Sequence, residues 1–219
     1  MHSRKISALD QPYAAWLQRL HIARGPVIGD VQKSWDVDLA LQYLERTLRK
    51  DAPIMDMGCY ASEVLLSLHK LGFTNLTGVD LNPRLTAMPL RDCIQYKVCN
   101  FMHTPFASGS FEAITSISVI EHGYEPTSLL AEVARLLRPG GTFLASFDYW
   151  PDKIDTAGVR FFDMSWLIFS RDDVRELVEI AATFDLVPQG DLLFEAKDRV
   201  IACGGKRYTF ASLSLTKKA

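Results

Sequence analysis

Apolar and polar positions along this chain switch between a strand-like and a helix-like period, and the switches mark the predicted elements. Residues 53–57 form a short apolar run, and Gly58 after them brings no Cβ to a tight turn. Residues 62–71 then carry Val64, Leu65, Leu68 and Leu71 at helical spacing, and Gly72 stops the helix. Residues 75–79 predict a second strand, which Asp80 ends. Residues 52–83 therefore read as strand, turn, helix and strand. In a parallel sheet a ligand lies outside the carboxyl ends of the strands, so the first turn meets it with backbone and the side chain ending the second strand reaches it sideways. Asp80 follows Asp56 by about two dozen residues, near the offset at which such folds place a ribose-binding carboxylate. The turn holds one glycine before Cys59, Tyr60, Ala61 and Ser62, not the G-x-G-x-x-G that close approach to a pyrophosphate needs.

Upstream, Val37, Leu41, Leu44 and Leu48 make one stripe of a helix that Asp36 or Asp38 would cap, with Arg46, Arg49 and Lys50 toward the end where the dipole favours cations. Trp16 and Leu20 suggest a short helix before it. Downstream, residues 82–91 hold two prolines and read as a loop with a turn of helix, residues 93–100 as a third strand and residues 110–120 as a fourth. Residues 126–138 form the clearest helix: Pro126 suits its first turn, Leu129, Leu130, Val133, Leu136 and Leu137 share a face, and Arg138-Pro139-Gly140-Gly141 ends it. Residues 142–147 predict a fifth strand. Ser170 caps a further helix with Asp173 at the third position, ahead of Val174, Leu177, Val178 and Ala181. Residues 184–194 and 208–215 read as the last two strands, with a Gly204-Gly205 turn region between them, and Lys217 and Lys218 as a solvated tail. Residues 151–169 are a long connection with Phe161, Phe162, Trp166 and Phe169, too aromatic for disorder. They read as a cover over a binding site or as a packed excursion over the sheet edge.

Composition narrows the class. The 219 residues suit one α/β domain, and 48% hydrophobic with 23% charged residues is ordinary globular usage. A net charge of −2 gives no general attraction to nucleic acid or an anionic membrane. Cys59, Cys93, Cys99 and Cys203 stand singly, never as C-x-x-C, so the expectation is free buried thiols with no zinc site. No cleavable leader and no run of ~18 apolar residues is visible, so the expectation is a cytoplasmic protein without membrane insertion.

DMGCYAS followed by GVDLNP resembles the first two motifs of class I, Rossmann-like S-adenosylmethionine-dependent methyltransferases, whose usual form is D-x-G-C-G-x-G, a hydrophobic strand and G-x-D. Asp56, Gly58, Cys59, Gly78 and Asp80 match, while Tyr60 and Ser62 stand where the family usually has glycine. SFEAITSISVIEHG is similar to S-F-D-x-[VI]-x-x-x-x-V-[LI]-E-H of the type 11-like small-molecule branch, and L-L-R-P-G-G is a family helix end. The resemblance covers roughly residues 52–215. It implies a seven-stranded, mostly parallel α/β sheet with an antiparallel last strand and helices on both faces. It also implies one domain over residues 1–219: a helical cover (1–51), a cofactor-binding half (52–150) and an acceptor-side half (151–219). The implied cofactor is S-adenosylmethionine, held by Asp56, Gly58, Cys59, Tyr60, Asp80, Leu81, Asn100, Phe101 and Ser118, with Asn100 on the adenine amine and Phe101 beside the ring.

The expected reaction is methyl transfer to a small acceptor (a sugar, a lipid-linked compound or a secondary metabolite), with oxygen favoured over nitrogen or carbon. No metal is required, and there is no D-P-P-Y or N-P-P-Y run and no Pro-Cys nucleophile of nucleic-acid-modifying relatives. His122, with an ordinary pKa near 6.5, suits a general base, unless it serves only packing. Asp148 is the alternative base, Tyr149 or Trp150 an acceptor wall, and Trp35 a lid or a packing aromatic. Glu121 orients a loop or helps hold the methionine end. Asn100 and Phe101 read alternatively as a turn cap and a core residue. The rival readings are a catalytically inactive binding or scaffold protein, with Tyr60 filling the cofactor pocket, and a nicotinamide oxidoreductase, which the single-glycine turn argues against. No residue identifies the acceptor or the oligomeric state.

Overall fold

Helix α1 (Ser34–Thr47) forms where the apolar stripe predicts it, burying Val37, Ala40, Leu41 and Leu44. The structure is a computed structural model that describes residues 34–219, so the helix expected near Trp16 and Leu20 lies outside the described residues. Asp36 is not a solvent-facing cap. It lies within the first turn of α1, 2% exposed, and accepts a hydrogen bond from Ser146 Oγ at 2.6 Å.

The expected βαβ unit follows as β1 (Ile54–Met57), α2 (Val64–Lys70) and β2 (Leu76–Asp80), with Asp56 opposite Gly78 in parallel register. A 3-10 turn (Pro83–Ala87), capped by the Asn82 side chain, leads to β3 (Ile94–Val98) and β4 (Phe111–Ile117). Then come α3 (Pro126–Leu136), β5 (Leu137–Tyr149), the short strands β6 (Arg160–Phe161) and β7 (Met164–Ser165), α4 (Arg171–Ala182), β8 (Leu186–Pro188), β9 (Ile201–Cys203) and β10 (Lys206–Lys217). The Ser170–Asp173 capping box predicted for α4 is present in both directions.

The main sheet has eight strands in the order β3-β2-β1-β4-β5-β10-β8, with β9 paired to β10. β1 to β5 run parallel, and β10 is antiparallel to β5, β8 and β9. Strand order reverses between β1 and β4, which makes their carboxyl ends the topological switch point where α/β sheets open a crevice. The two-residue period sends Met55, Met57, Ile114, Phe143 and Phe147 to one face, in a core with residues of α3 and α4. Ile54, Ala113 and Leu144 go to the other, in a core with α1 and α2. A third cluster of Trp166, Ile168, Ile201, Tyr208 and Phe210 joins the long connection to the β9–β10 hairpin.

Several elements differ from the sequence expectation for local reasons. β4 stops at Ile117 because Ser118 turns the chain with φ +57°. The strand expected over residues 184–194 shrinks to β8, and Gly204-Gly205 closes the β9–β10 hairpin instead of joining the last two lanes of the sheet. Lys217 is no solvated tail: its Nζ donates to the carbonyls of Ala134 (2.6 Å) and Leu137 (2.9 Å), where the end of α3 favours a cation. All four cysteines are free, but Cys93 and Cys203 are exposed and only Cys59 is fully buried. Among the described residues no helix is long and apolar enough to cross a membrane.

Candidate functional site

The carboxyl ends of β1 and β2 build the first part of the site. Gly58 sits at φ +72°, and a Cβ there would lie 2.5 Å from Val119 Cγ2, so the turn passes where only glycine fits. The Gly58 and Cys59 amides donate to the Val79 carbonyl. The Tyr60 amide donates to Asp80 Oδ2 (2.9 Å) and the Asn82 amide to Asp80 Oδ1 (2.8 Å). Both oxygens of this half-buried carboxylate are thus aimed by backbone, and each keeps a lone pair for a further donor. Leu81 beside it is 53% exposed, an apolar surface at the mouth of the strand. The half-buried Tyr60 ring packs against the α1–α2 core cluster.

Asp56 lies beneath this turn, buried, with Thr115 Oγ1 donating to Oδ1 (2.6 Å) and Ser62 Oγ to Oδ2 (3.0 Å). Sequence reasoning missed both hydroxyls. The one signal was Ser62 itself, a hydroxyl standing where the motif usually has glycine. Burial pushes the Asp56 pKa up to about 7, against the pull of those two hydrogen bonds and with a smaller push from Asp80. Burial, with Asp56 and Asp80 nearby, also pushes the Cys59 thiol up, so it stays protonated. Because the folded Asp56 holds its proton to a higher pH than the unfolded one, folding stability falls as pH rises from about 4 to about 7. The full difference is up to roughly 4 kcal/mol. Glu132 and Asp173 are held below their ordinary values and act only at more acid pH. Asp56→Asn is therefore expected to flatten the stability profile between pH 5 and 7, read by denaturant titration of the ligand-free protein. An unchanged slope would refute this.

At the end of β3, Asn100 Oδ1 accepts the Met102 amide (2.9 Å), so Asn100 caps its turn, and Phe101 packs into the α3–α4 core. A second missed feature fastens this loop. Glu132 on α3, 7% exposed, accepts from the Thr104 amide (2.8 Å), Thr104 Oγ1 (2.7 Å), and Arg135 Nε and Nη2 (both 2.7 Å), while Arg135 Nη1 donates to the Phe106 carbonyl.

The ends of β4 and β5 supply the rest. The Ser118 amide donates to Ser146, and Ser118 Oγ donates to Oε1 of the fully buried Glu121 (2.9 Å). The Glu121 carbonyl accepts the Leu167 amide and the Gly123 amide donates to Ser165, so residues 121–123 are strapped to the long connection. His122 is half-buried, with Nδ1 inside, and its ring meets Phe161 (5.9 Å) and Phe162 (5.3 Å) edge to face. Asp148, 2% exposed, accepts Trp166 Nε1 at 2.8 Å and hydrogen-bonds the Tyr208 phenol, whose pKa burial and Asp148 push up. Trp35, Trp150 and Phe161 pack against that third cluster. Tyr149 is not an acceptor wall: it points to the opposite face, into the α3–α4 core, with its hydroxyl on the Phe194 carbonyl. The predicted residues form three adjoining groups, one at β1–β2 (Asp56, Gly58, Cys59, Tyr60, Asp80, Leu81), one at β3 (Asn100, Phe101) and one at β4–β5 (Ser118, His122, Asp148). Among the described residues no group of three or more His, Cys, Asp or Glu is arranged to hold a metal ion.

Comparison with known proteins agrees with this geometry. Residues 55–145 match the family described as a methyltransferase domain. The chain is 26% identical over 161 residues to the sterol 24-C-methyltransferase erg-4 of Neurospora crassa, covering 66% of this chain and 42% of that protein. It is 32% identical over 108 residues to a ubiquinone biosynthesis O-methyltransferase of Xanthomonas oryzae pv. oryzae, covering 46% of this chain and 45% of that protein. The chain thus spans less than half the length of these curated relatives. Among solved structures it matches the geranyl diphosphate C-methyltransferase of Streptomyces coelicolor A3(2), crystallised with S-adenosyl-L-homocysteine, with a TM-score of 0.61 and 18% identity over 96% of this chain and 98% of that one. The βαβ unit ending in Asp80 and the strand running into Glu121-His122 both lie within the matched segment, which covers less than half of the chain: over residues 55–145 the chain is similar to the methyltransferase domain family, and it shares the fold of solved S-adenosylmethionine-dependent methyltransferases.

Proposed function

We propose that this protein transfers a methyl group from S-adenosylmethionine to an oxygen of a small-molecule acceptor. The observation that carries the reading is Asp80, whose two oxygens are aimed by the Tyr60 and Asn82 amides at the switch point of the sheet. The residues present fit the cofactor. A half-exposed, doubly oriented carboxylate suits a ribose diol and the exposed Leu81 suits an adenine face, while Gly58 lets the turn beside them pack directly on Val119. S-adenosylmethionine supplies a methyl group already activated on a sulfonium, so the protein needs to bind, align and take up a proton.

In this reading Gly58, Cys59, Tyr60, Asp80, Leu81 and Ser118 line the cofactor site, Asp56 supports its turn from beneath, and Asn100 and Phe101 fix the loop after β3 beside it. His122 takes the acceptor's hydroxyl proton on Nε2, since Nδ1 is turned inward. Asp148 anchors Trp166 in the cover, which keeps water out. Residues 52–150 serve the donor, residues 151–219 the acceptor, and residues 1–51 cover them. The relative named as an O-methyltransferase supports oxygen as the accepting atom. The rival, an inactive protein with Tyr60 in the pocket, is disfavoured by the packing of the Tyr60 ring against the α1–α2 cluster.

Calorimetric titration with S-adenosylhomocysteine tests the reading: a micromolar dissociation constant is expected, and absence of binding would favour the inactive protein. His122→Ala is expected to lower turnover with a phenol acceptor by about a hundredfold or more. Its affinity for S-adenosylhomocysteine should stay within about twofold, a loss of roughly 0.4 kcal/mol at most. Undiminished turnover would move the proton transfer away from His122.

A further inference from the structure

We infer that the β6–β7 hairpin is the acceptor-recognition element and that the exposed ring of Phe162 receives the apolar part of a hydrophobic phenol. The inference rests on the reading of this site as an O-methyltransferase and adds to it the class of acceptor. Phe161 pairs with Met164, so Phe162 and Asp163 form a two-residue turn, and both have left-handed φ, 54° and 61°. Such turns favour Asn-Gly, because a side chain, above all a bulky one, is disfavoured there. Strain of this kind persists where the surroundings hold it, and it concentrates at ligand-contacting sites.

The surroundings hold this turn firmly. The Arg160 guanidinium donates to the Asp163 carbonyl across the turn. Phe161 meets Trp166 edge to face at 5.1 Å, and the strand leaving the hairpin is bonded to residues 121–123 through Ser165, Trp166 and Leu167. Yet Phe162 gains little packing from its strained position: it is 79% exposed, the most exposed large hydrophobic residue among those described, and Leu81 follows at 53%. Among the described residues its one ring partner is His122, at 5.3 Å. A fixed hairpin thus presents an aromatic ring to solvent beside the imidazole proposed to take the acceptor's proton. Polyols gain little from such a surface, whereas an alkyl-bearing aromatic ring gains by covering it.

The test uses 4-alkylphenols from 4-methylphenol to 4-butylphenol, titrated by tryptophan fluorescence with S-adenosylhomocysteine present. Wild type should bind them more tightly as the chain lengthens, by up to about fourfold per methylene. Phe162→Asn suits the left-handed turn, so its Tm should be unchanged or up to about 2 °C higher. Its S-adenosylhomocysteine affinity should be unchanged, while 4-butylphenol binding should fall roughly tenfold and the dependence on chain length should flatten. Phe162→Trp should keep tight binding. A Phe162→Asn variant that binds the series like wild type overturns the proposal, as does one that loses several degrees of Tm, which would make Phe162 a structural residue. Wild type that binds S-adenosylhomocysteine but none of the phenols overturns the acceptor class alone. Wild type that binds neither overturns the methyltransferase reading and the proposal with it.

Discussion

Asp80→Ala is expected to weaken S-adenosylhomocysteine binding by a factor of a hundred or more in a calorimetric titration. A carboxylate that accepts both ribose hydroxyls makes two charge-assisted hydrogen bonds, each worth about 1.5–3 kcal/mol. Truncation removes both, and it also leaves the Tyr60 and Asn82 amides without their acceptors, so the glycine turn loses its alignment. Asp80→Asn keeps one acceptor oxygen and should fall between. The side chain is half-exposed at a strand end, so the fold should survive, and a melting curve close to wild type would separate lost binding from lost structure. Affinity unchanged in a folded Asp80→Ala protein would end the cofactor assignment.

The second large effect is on stability. Glu132→Ala is expected to cost about 3 kcal/mol, because Arg135 and the Thr104 amide and hydroxyl lose a buried common partner. For a domain of this size that lowers Tm by about 10 °C. Burial raises the Glu132 pKa, but hydrogen bonds from Arg135 and Thr104 outweigh it and hold the carboxyl below its ordinary 4.5. The sign of the linkage is therefore opposite to that of Asp56. The contribution of Glu132 is complete above that value and disappears as the medium becomes more acid. Glu132→Gln, which can still accept one hydrogen bond, should lose less. A Glu132→Ala protein that melts with wild type would show that the pair is incidental.

What could be read from residue order follows the range of the interactions. The βαβ unit, the Ser170–Asp173 box and the helix from Pro126 rest on neighbours a few positions apart, and all three appear in the structure, although that helix ends at Leu136 and Arg138-Pro139-Gly140-Gly141 belong to the start of β5. Apolar periodicity carries the fourth strand past its observed end at Ile117, because Val119 and Ile120 continue an apolar run. Ile120 is buried by packing after the Ser118 turn, which periodicity cannot distinguish from a strand. The β6–β7 hairpin carries no turn signal, since Phe162-Asp163 replaces the usual Asn-Gly. Glu132 and Arg135 look like a solvated pair on a helix, and nothing nearby announces that Thr104, 28 positions away, buries them. Asp36 likewise meets Ser146 only across 110 positions. At the site itself, the motif residues at β1 and β2 were legible, and the hydroxyls beneath them were not, because their partners come from other strands.

The placement of β10 has a consequence for how the protein reaches this state. The last strand to be synthesised among those described occupies an interior lane, between β5 and β8, with Thr209 to Thr216 opposite Tyr149 to Thr142. Until it arrives on the ribosome, β5 ends the growing sheet with an open row of amides and carbonyls beside the apolar Phe143 and Phe147. Such an edge is a template for pairing with another chain. The nascent protein therefore keeps this edge open until β10 emerges, and protection by chaperones matters over that interval.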